Sequence, residues 1–179
     1  MTTDLILVSL EKLLKNWSSE NVEKLLRTFK CGRDGDVEDF LIQKAISFHK
    51  KLRSRTYLFL SNDRKNVLAY VTLGIKCLQI PEKNLLSNNI RKKMDVHKGV
   101  SQSYLLGQIG KADGVEKGIG SMLIRFAISI FSQSFRSIGC RTVKLDCKHG
   151  LIKFYEKNGF HLMSQKKDED DEYQMVALF

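Results

Sequence analysis

Two closely spaced glycines, Gly118 and Gly120, stand where a strand-like stretch gives way to the strongest helical pattern in the chain. The first amides of a helix lack internal partners, and the helix dipole adds about half a positive charge at that end. Glycines let such amides approach phosphate oxygens without a Cβ clash. The stretch therefore suits a diphosphate group, which would be held by Lys117, Gly118, Ile119, Gly120 and Ser121.

This glycine spacing is short and by itself carries limited information. The lysine motif of P-loop proteins is absent, and so is the longer GxGxxG of dinucleotide-binding folds. A plain turn at the entry of a helix remains an alternative interpretation of the same residues.

The elements that must position this turn follow from hydrophobic periodicity. At the start of the chain, "DLILVSL" could be a short strand, which we favour, or the start of a helix. Further on, the first half predicts helices in "SSENVEKLLRTF" and "VEDFLIQKAISFHKKL" and a hairpin of "RTYLFL" and "VLAYVTLGIKCL". A polar, basic stretch then predicts one short helix and a loop.

The second half predicts a strand in "YLLGQIG", the long helix after the glycine turn, and a strand in "RTVKLDC". A helix in "GLIKFYEKNGF" ends at Gly159, and two last strands, "HLMSQ" and "YQMVALF", are joined by "KKDEDDE". This order predicts a single α+β domain over residues 1–179, with a mixed, mostly antiparallel central sheet flanked by helices.

Composition narrows the class of protein. The net charge of +10 suits an anionic cofactor, a nucleic acid or simple solubility. The apolar runs are too short to span a bilayer and no signal peptide is evident, so we expect a cytoplasmic protein without a membrane partner. The histidines and four cysteines lack metal-ligand spacing, which predicts reduced structural thiols and no metal.

Four stretches in order carry a resemblance to the GNAT superfamily of N-acetyltransferases. "YLLGQIGK" resembles its pantetheine-binding strand, "KGIGSML" the second half of its coenzyme A loop, and "FYEKNGF" its last helix and following strand. "FKCGRDGDVEDFLIQKA" followed by "SRTYLFL" is similar to the subgroup of acetyltransferase toxins from toxin–antitoxin pairs. The resemblance extends from about Leu10 to Phe179 and implies the GNAT acyl-CoA acyltransferase fold.

The resemblance also implies roles for individual residues. Acetyl-CoA would be the cosubstrate, and backbone groups of Ile109, Gly110 and Lys111 would pair with its pantetheine arm like an added strand. Tyr155 would protonate the departing thiolate, for which a phenol of pKa about 10 is a competent donor. Without the resemblance, a tyrosine that simply packs is the favoured interpretation.

Three positions depart from the family pattern. Val115 stands where the coenzyme A loop usually begins with Gln or Arg, so one side-chain contact to the phosphates is lost. The acidic Glu116 follows it, and Gln108 replaces an arginine of the toxins. A non-catalytic module that binds coenzyme A or a protein partner is therefore the alternative to an enzyme.

No carboxylate stands out as a general base. Asp146 is the best candidate, although it could equally cap the helix that follows its strand. A lysine amine must spend about 4.6 kcal/mol to become neutral at pH 7, whereas an α-amine needs only about 1 to 1.4 kcal/mol. A site without a strong base therefore favours an α-amine, such as that of aminoacyl-tRNA, over a protein lysine or a basic metabolite amine.

Two basic clusters are compatible with a tRNA substrate, although such clusters are more often solvated surface and no aromatic residues alternate with them. Their members are Lys50, Lys51, Arg53 and Arg55, then Arg91, Lys92, Lys93, His97 and Lys98. The partners that we expect are therefore acetyl-CoA, an amine acceptor, tRNA, an antitoxin protein and a second copy of the chain.

Overall fold

The computed structural model describes residues 5–164 and 172–179. The chain divides into two compact units, Met1–Gly74 with Gln108–Arg125 and Ile75–Gly107 with Phe126–Phe179. The prediction of a single domain over 1–179 is not tested by this division and stays a prediction.

The helices and strands up to the hairpin are β1 (Ile6–Ser9), α1 (Leu10–Asn16), α2 (Ser19–Leu26), α3 (Gly35–Asp39), α4 (Ala45–Lys50), β2 (Arg55–Leu60) and β3 (Val67–Ile75). The remainder are β4 (Leu78–Gln79), α5 (Asn88–Lys93), β5 (Val96–His97), β6 (Val100–Ser101), β7 (Tyr104–Lys111), α6 (Ile119–Ile138), β8 (Thr142–Cys147), α7 (Ile152–Lys157), β9 (His161–Leu162) and β10 (Tyr173–Leu178). The central element is a mixed, mostly antiparallel sheet of seven strands in the order β1-β2-β3-β7-β8-β10-β9. This architecture, with flanking helices, confirms the predicted α+β class.

The first unit has a core built from the predicted apolar stripes. Buried leucines of α1 and α2 pack with Phe29, Leu41 and Tyr70 in one cluster. The hydroxyl of Ser18 caps α2 by accepting a hydrogen bond from the amide of Asn21 at 3.3 Å, as the Ser-rich start predicted.

Two features of the first unit differ from the prediction. The strand favoured for "DLILVSL" is present as β1, but the helix α1 follows it directly from Leu10 and was not predicted as a separate element. The helix over "VEDFLIQKAISFHKKL" is interrupted by a π-helical segment, Phe40–Lys44, in which the amide of Ala45 donates to the carbonyl of Phe40. Leu41 and Ala45, four positions apart on this part of the helix, are both fully buried.

The second unit has its own small core. Leu78, Leu86, Met94, Met163 and Val176 are buried together. The polar, basic stretch predicted as helix and loop contains α5 and also the two-residue strands β5 and β6. These pair with β4, which precedes the stretch, in a three-stranded sheet of the order β4-β6-β5. Strands this short carry no readable alternation, so the sequence could not reveal them.

The strands around β8 were predicted correctly. Antiparallel β10 pairs with β8 from Tyr173 beside Cys147 to Leu178 beside Thr142. Parallel β7 and β8 share the pairs Tyr104–Val143 and Leu105–Lys144. Most of the predicted "KKDEDDE" loop lies outside the described residues. Within the described part of the chain, no helix has the length and apolar character needed to cross a bilayer.

Candidate functional site

The end of β7 carries the three residues predicted to bind pantetheine, and its geometry explains one of them. Gly110 leaves no room for a side chain: a Cβ there would lie 2.2 Å from Cε1 of Tyr70 and 2.9 Å from Cζ of Phe29. Tyr70 is fully buried, and its hydroxyl donates a hydrogen bond to the carbonyl of Val37 at 2.6 Å. Gly110 is therefore required by the core, independently of any ligand.

The turn between β7 and α6 is held by the side chain of Lys111. Its Nζ donates to the carbonyl of Val115 and, at 3.3 Å, to the carbonyl of Glu116. Sequence reasoning assigned Lys111 a role only through its backbone, because a lysine at the end of a strand gives no signal that it turns back onto the next loop. Lys111 is therefore a positioning residue for the glycine turn.

The glycine turn itself is open to solvent. Gly118 has a φ of +94°, and a Cβ built on it would meet nothing within 4 Å. Lys117 and Gly118 are exposed, Gly120 and Ser121 are half-buried, and Ile119 is buried. The left-handed backbone at Gly118 favours glycine and ends the preceding loop, so that α6 begins at Ile119.

The head of α6 leaves backbone donors without helical partners. The amide of Met122 donates to the carbonyl of Gly118 at 3.2 Å. Amides that precede it in the turn have no carbonyl one turn earlier within the helix. With a backbone that a Cβ does not crowd and an exposed lysine beside it, this turn fits an anionic group such as a diphosphate.

Tyr155 lies on α7 in the second unit, where it is almost completely buried. Its ring contacts Phe154 and Phe160 edge to face, with centroids 5.0 Å and 5.9 Å away. Burial raises the pKa of Tyr155 well above its ordinary value, and the negative charges of ionised Cys147 and Glu172 raise it further. The phenol therefore keeps its proton throughout the physiological pH range, which a proton donor requires.

The thiol of Cys147, at the end of β8, is buried, which disfavours its thiolate form. It is buried against Met175, with its Sγ 3.6 Å from Sδ, and burial raises its pKa to about 11. All four cysteines are free thiols. In the part of the chain that is described, no group of three or more histidine, cysteine or acidic side chains could hold a metal ion.

Asp146, the candidate base, forms an ion pair with a lysine. Its Oδ2 lies 3.2 Å from Nζ of Lys144, a residue that is only 2% exposed. Its Oδ1 is buried and meets no hydrogen-bond donor among the described residues. The turn after β8 is preceded by Lys148 and has no side-chain cap, so the alternative in which Asp146 caps that turn was wrong.

The two basic clusters are found in different units. In the first unit the guanidinium of Arg55 donates to the carbonyl of His49 at 3.3 Å, and that of Arg53 lies 5.6 Å from the ring centre of Phe48. In the second unit, Arg91 and Lys92 line a cavity of about 330 Å³. Sequence reasoning missed another basic surface, which lies beside Trp17.

Comparison with known proteins gives a consistent picture of the fold. No protein-family model and no curated protein matches the chain. Among solved structures, it is similar to AtaT complexed with acetyl-methionyl-tRNAfMet, with a TM-score of 0.76, 20% identity, and coverage of 98% of this chain and 95% of that one.

Two further structures agree. A tyrosine-to-phenylalanine mutant of KacT has a TM-score of 0.75 and 19% identity, with 96% of this chain and 94% of that one covered. A tyrosine-to-phenylalanine mutant of the AtaT toxin, bound to the C-terminus of the antitoxin AtaR and acetyl-CoA, has a TM-score of 0.72 and 18% identity, with 98% and 93% covered. The chain therefore has the GNAT fold that its motifs predicted, in the form seen in AtaT and KacT.

Proposed function

We propose that this protein is an acetyl-CoA-dependent N-acetyltransferase. The observation that carries the proposal is the open, left-handed turn at Gly118 at the head of α6, in a chain whose fold is similar to that of AtaT bound to acetyl-CoA. Acetyl-CoA supplies a thioester that is already activated toward attack by an amine.

The residues of the glycine turn would bind the diphosphate. Backbone amides from Lys117 to Ser121 donate to its oxygens, and the Lys117 ammonium adds a charge. Backbone groups of Ile109, Gly110 and Lys111 pair with the pantetheine arm, as an added strand would. The departures at Val115 and Glu116 remove one side-chain contact, so the backbone carries most of this affinity.

Tyr155 is proposed as the general acid. The acceptor amine forms a C–N bond to the acetyl carbon, the C–S bond of the thioester breaks, and the Tyr155 hydroxyl donates its proton to the leaving sulfur. The nitrogen releases one proton to solvent, and the phenolate takes one back from solvent. The phenol is protonated at neutral pH, as an ordinary tyrosine is, while its raised pKa makes it a weaker acid. The role of Tyr155 is therefore supported by its place in the "FYEKNGF" stretch and not by the shift of its pKa.

The proposed acceptor is an α-amine, with aminoacyl-tRNA as the leading substrate. Asp146 is engaged by Lys144, so it is poorly suited to act as a strong base. Without a strong base, an amine that is easily neutralised reacts best, which favours the α-amine of a charged tRNA. The AtaT structure with acetyl-methionyl-tRNAfMet supports the same substrate class, and the net charge of +10 is compatible with it.

The test combines cofactor binding with transfer. Calorimetry with acetyl-CoA measures cofactor binding. For transfer, the protein is incubated with labelled acetyl-CoA and bulk charged tRNA, and digestion of the tRNA should yield labelled N-acetylaminoacyl-adenosine. Uncharged tRNA is the control. Tyr155→Phe should lower turnover and leave the cofactor Kd nearly unchanged, whereas Tyr173→Phe, on β10, serves as the matched control. Equal turnover in Tyr155→Phe would remove Tyr155 from the mechanism.

A toxin with a protein antitoxin is the biological setting we propose. AtaT was solved with the C-terminus of AtaR, and a cytoplasmic toxin that forms a homodimer fits the partners expected from the motifs. Expression of the wild-type chain should arrest growth, and Tyr155→Phe should relieve the arrest. A neighbouring reading frame whose product binds the chain and restores growth would identify the antitoxin.

The second candidate is a non-catalytic module. The valine and glutamate at the start of the coenzyme A loop favour it, because they weaken recognition of the phosphates. Absence of acetyl-CoA binding at high micromolar concentration would favour this module over the enzyme.

A further inference from the structure

A groove in the first unit joins the end of α1 to the turn between β2 and β3. It has a volume of about 550 Å³, and its lining includes Trp17, Asn21, Lys24, Arg64 and Lys65. Trp17 is 40% exposed, which is unusual for so large an apolar ring. The groove therefore places an exposed indole beside three cationic side chains.

The helical wall of the groove is fixed by backbone hydrogen bonds. The amide of Trp17 donates to the carbonyl of Leu13 at 2.8 Å and ends α1, and α2 begins two residues later. The hydroxyl of Thr28 accepts a hydrogen bond from the amide of Val67 at 2.9 Å, which ties the segment after α2 to β3. The backbone that carries the indole is therefore anchored to α1, and the segment after α2 is anchored to the hairpin.

The turn that carries the cations is also held through its backbone. The carboxylate of Asp63 accepts hydrogen bonds from the Ser61 hydroxyl and the Lys65 amide, and the amide of Arg64 donates to the carbonyl of Ser61 at 2.8 Å. Arg64 adopts a φ of +58°, a left-handed conformation that is uncommon for a side chain of this size. Lys24, by contrast, is paired with Glu20 at 2.7 Å, so the cations offered to a ligand are Arg64 and Lys65.

We propose that this groove binds one segment of single-stranded nucleic acid, with a base stacked on Trp17 and neighbouring phosphates on Arg64 and Lys65. A flat indole suits the π-face that every base presents, and a guanidinium and an ammonium suit phosphate. The net charge of +10 favours a polyanion. An acidic peptide would use the cations equally well but would gain little from a single exposed ring, so nucleic acid is the better match.

This inference goes beyond the proposed acetyl transfer and does not depend on it, since neither acetyl-CoA nor Tyr155 enters the groove's chemistry. Oligonucleotide binding in this groove could be measured in a protein that transfers no acetyl group, and it could be absent from a protein that does.

Trp17 provides its own probe, because it is the one tryptophan in the chain. Titration of the protein with an eight-nucleotide oligoadenylate RNA should quench the indole fluorescence saturably, and the DNA equivalent should do the same. Two phosphate contacts predict that log K falls with log salt with a slope of about −1.4. A blunt duplex of the same length should quench far less, because its bases are already stacked on each other.

Variants separate stacking from charge, with binding followed by anisotropy of a labelled oligonucleotide. Trp17→Leu should weaken binding by roughly 5- to 150-fold and leave the salt slope in place. Arg64→Gln combined with Lys65→Gln should weaken binding and bring the salt slope close to zero. The charge-matched control is Lys44→Gln with Arg125→Gln, two exposed residues of the same unit outside the groove, and it should bind like wild type.

Three results would overturn the proposal. They are absence of quenching, unchanged oligonucleotide affinity in a folded Trp17→Leu variant, and a polyglutamate peptide that quenches as strongly as the RNA at equal charge. The last result would assign the groove to an acidic protein segment instead.

Discussion

Replacement of Gly110 by alanine should destabilise the first unit strongly, although the backbone there has an ordinary conformation. The new Cβ would lie 2.2 Å from the Tyr70 ring, so the ring must withdraw by roughly 1.3 Å to reach normal contact. Tyr70 is fully buried, and its edge-to-face contact with Phe29 has a centroid distance of 5.2 Å. Withdrawal therefore strains the core and stretches the hydrogen bond from Tyr70 to Val37.

The magnitude follows from these two effects. Overpacking of a filled core costs about 1–3 kcal/mol, and loss of a buried hydrogen bond about 0.5–1.5 kcal/mol more. We expect Gly110→Ala to lower the free energy of unfolding by about 1.5–4.5 kcal/mol. In a chain of this length, each kcal/mol lost should lower Tm by roughly 2–4 °C.

The assay is thermal and urea unfolding followed by circular dichroism. Gly150→Ala is the matched control, because nothing lies within 4 Å of a Cβ at that glycine, and its stability should change by less than about 1 kcal/mol. Adding Tyr70→Leu to Gly110→Ala should cost less than the sum of the two single changes, since the clash disappears with the ring. A Gly110→Ala variant as stable as the Gly150→Ala control would refute the reasoning.

Three further predictions concern the site. The free energy of unfolding should fall as pH rises above about 10, because the Tyr155 phenol ionises there in the unfolded chain but stays protonated in the folded one, where its pKa is raised. Thermal melts at pH 8 and pH 11 should show a smaller loss of stability in Tyr155→Phe than in wild type. An equal loss in the two proteins would contradict the effect of burial. Lys111→Met should raise the Kd for acetyl-CoA, measured by calorimetry, because the glycine turn loses both hydrogen bonds from the Lys111 Nζ. Unchanged affinity would show that the turn keeps its conformation without these hydrogen bonds. Asp146→Asn should destabilise by about 3–5 kcal/mol in urea unfolding, since it leaves the buried Lys144 ammonium unpaired, whereas Lys144→Met with Asp146→Leu should be milder than either single change.

Much of the fold could be predicted from local patterns. The long helix α6 has apolar residues at helical spacing, and Gly118 marks its start, so both were visible without any tertiary contact. The positions of β7, β8 and β10 along the chain were equally readable, since alternating or apolar runs are bounded by glycine and charged turns. The strands of two residues and the π-helical segment could not be predicted, because so few residues show no hydrophobic periodicity.

The candidate site divides in the same way. A glycine turn at a helix start and a tyrosine on a short helix are local features, and the sequence contained them in order. The reason for Gly110, the bonds from Lys111 to the turn and the pairing of Asp146 with Lys144 depend on side-chain directions that spacing alone does not give.

The sequence by itself therefore determined the order of elements, the glycine turn and the resemblance that leads to acetyl transfer. The tertiary structure alone decided which distant residues meet. Trp17 and Arg64 are 47 positions apart and share no motif, yet they line one groove. The physical reason is that periodicity reports the face a residue presents, whereas contacts between faces are set by how whole helices and strands pack.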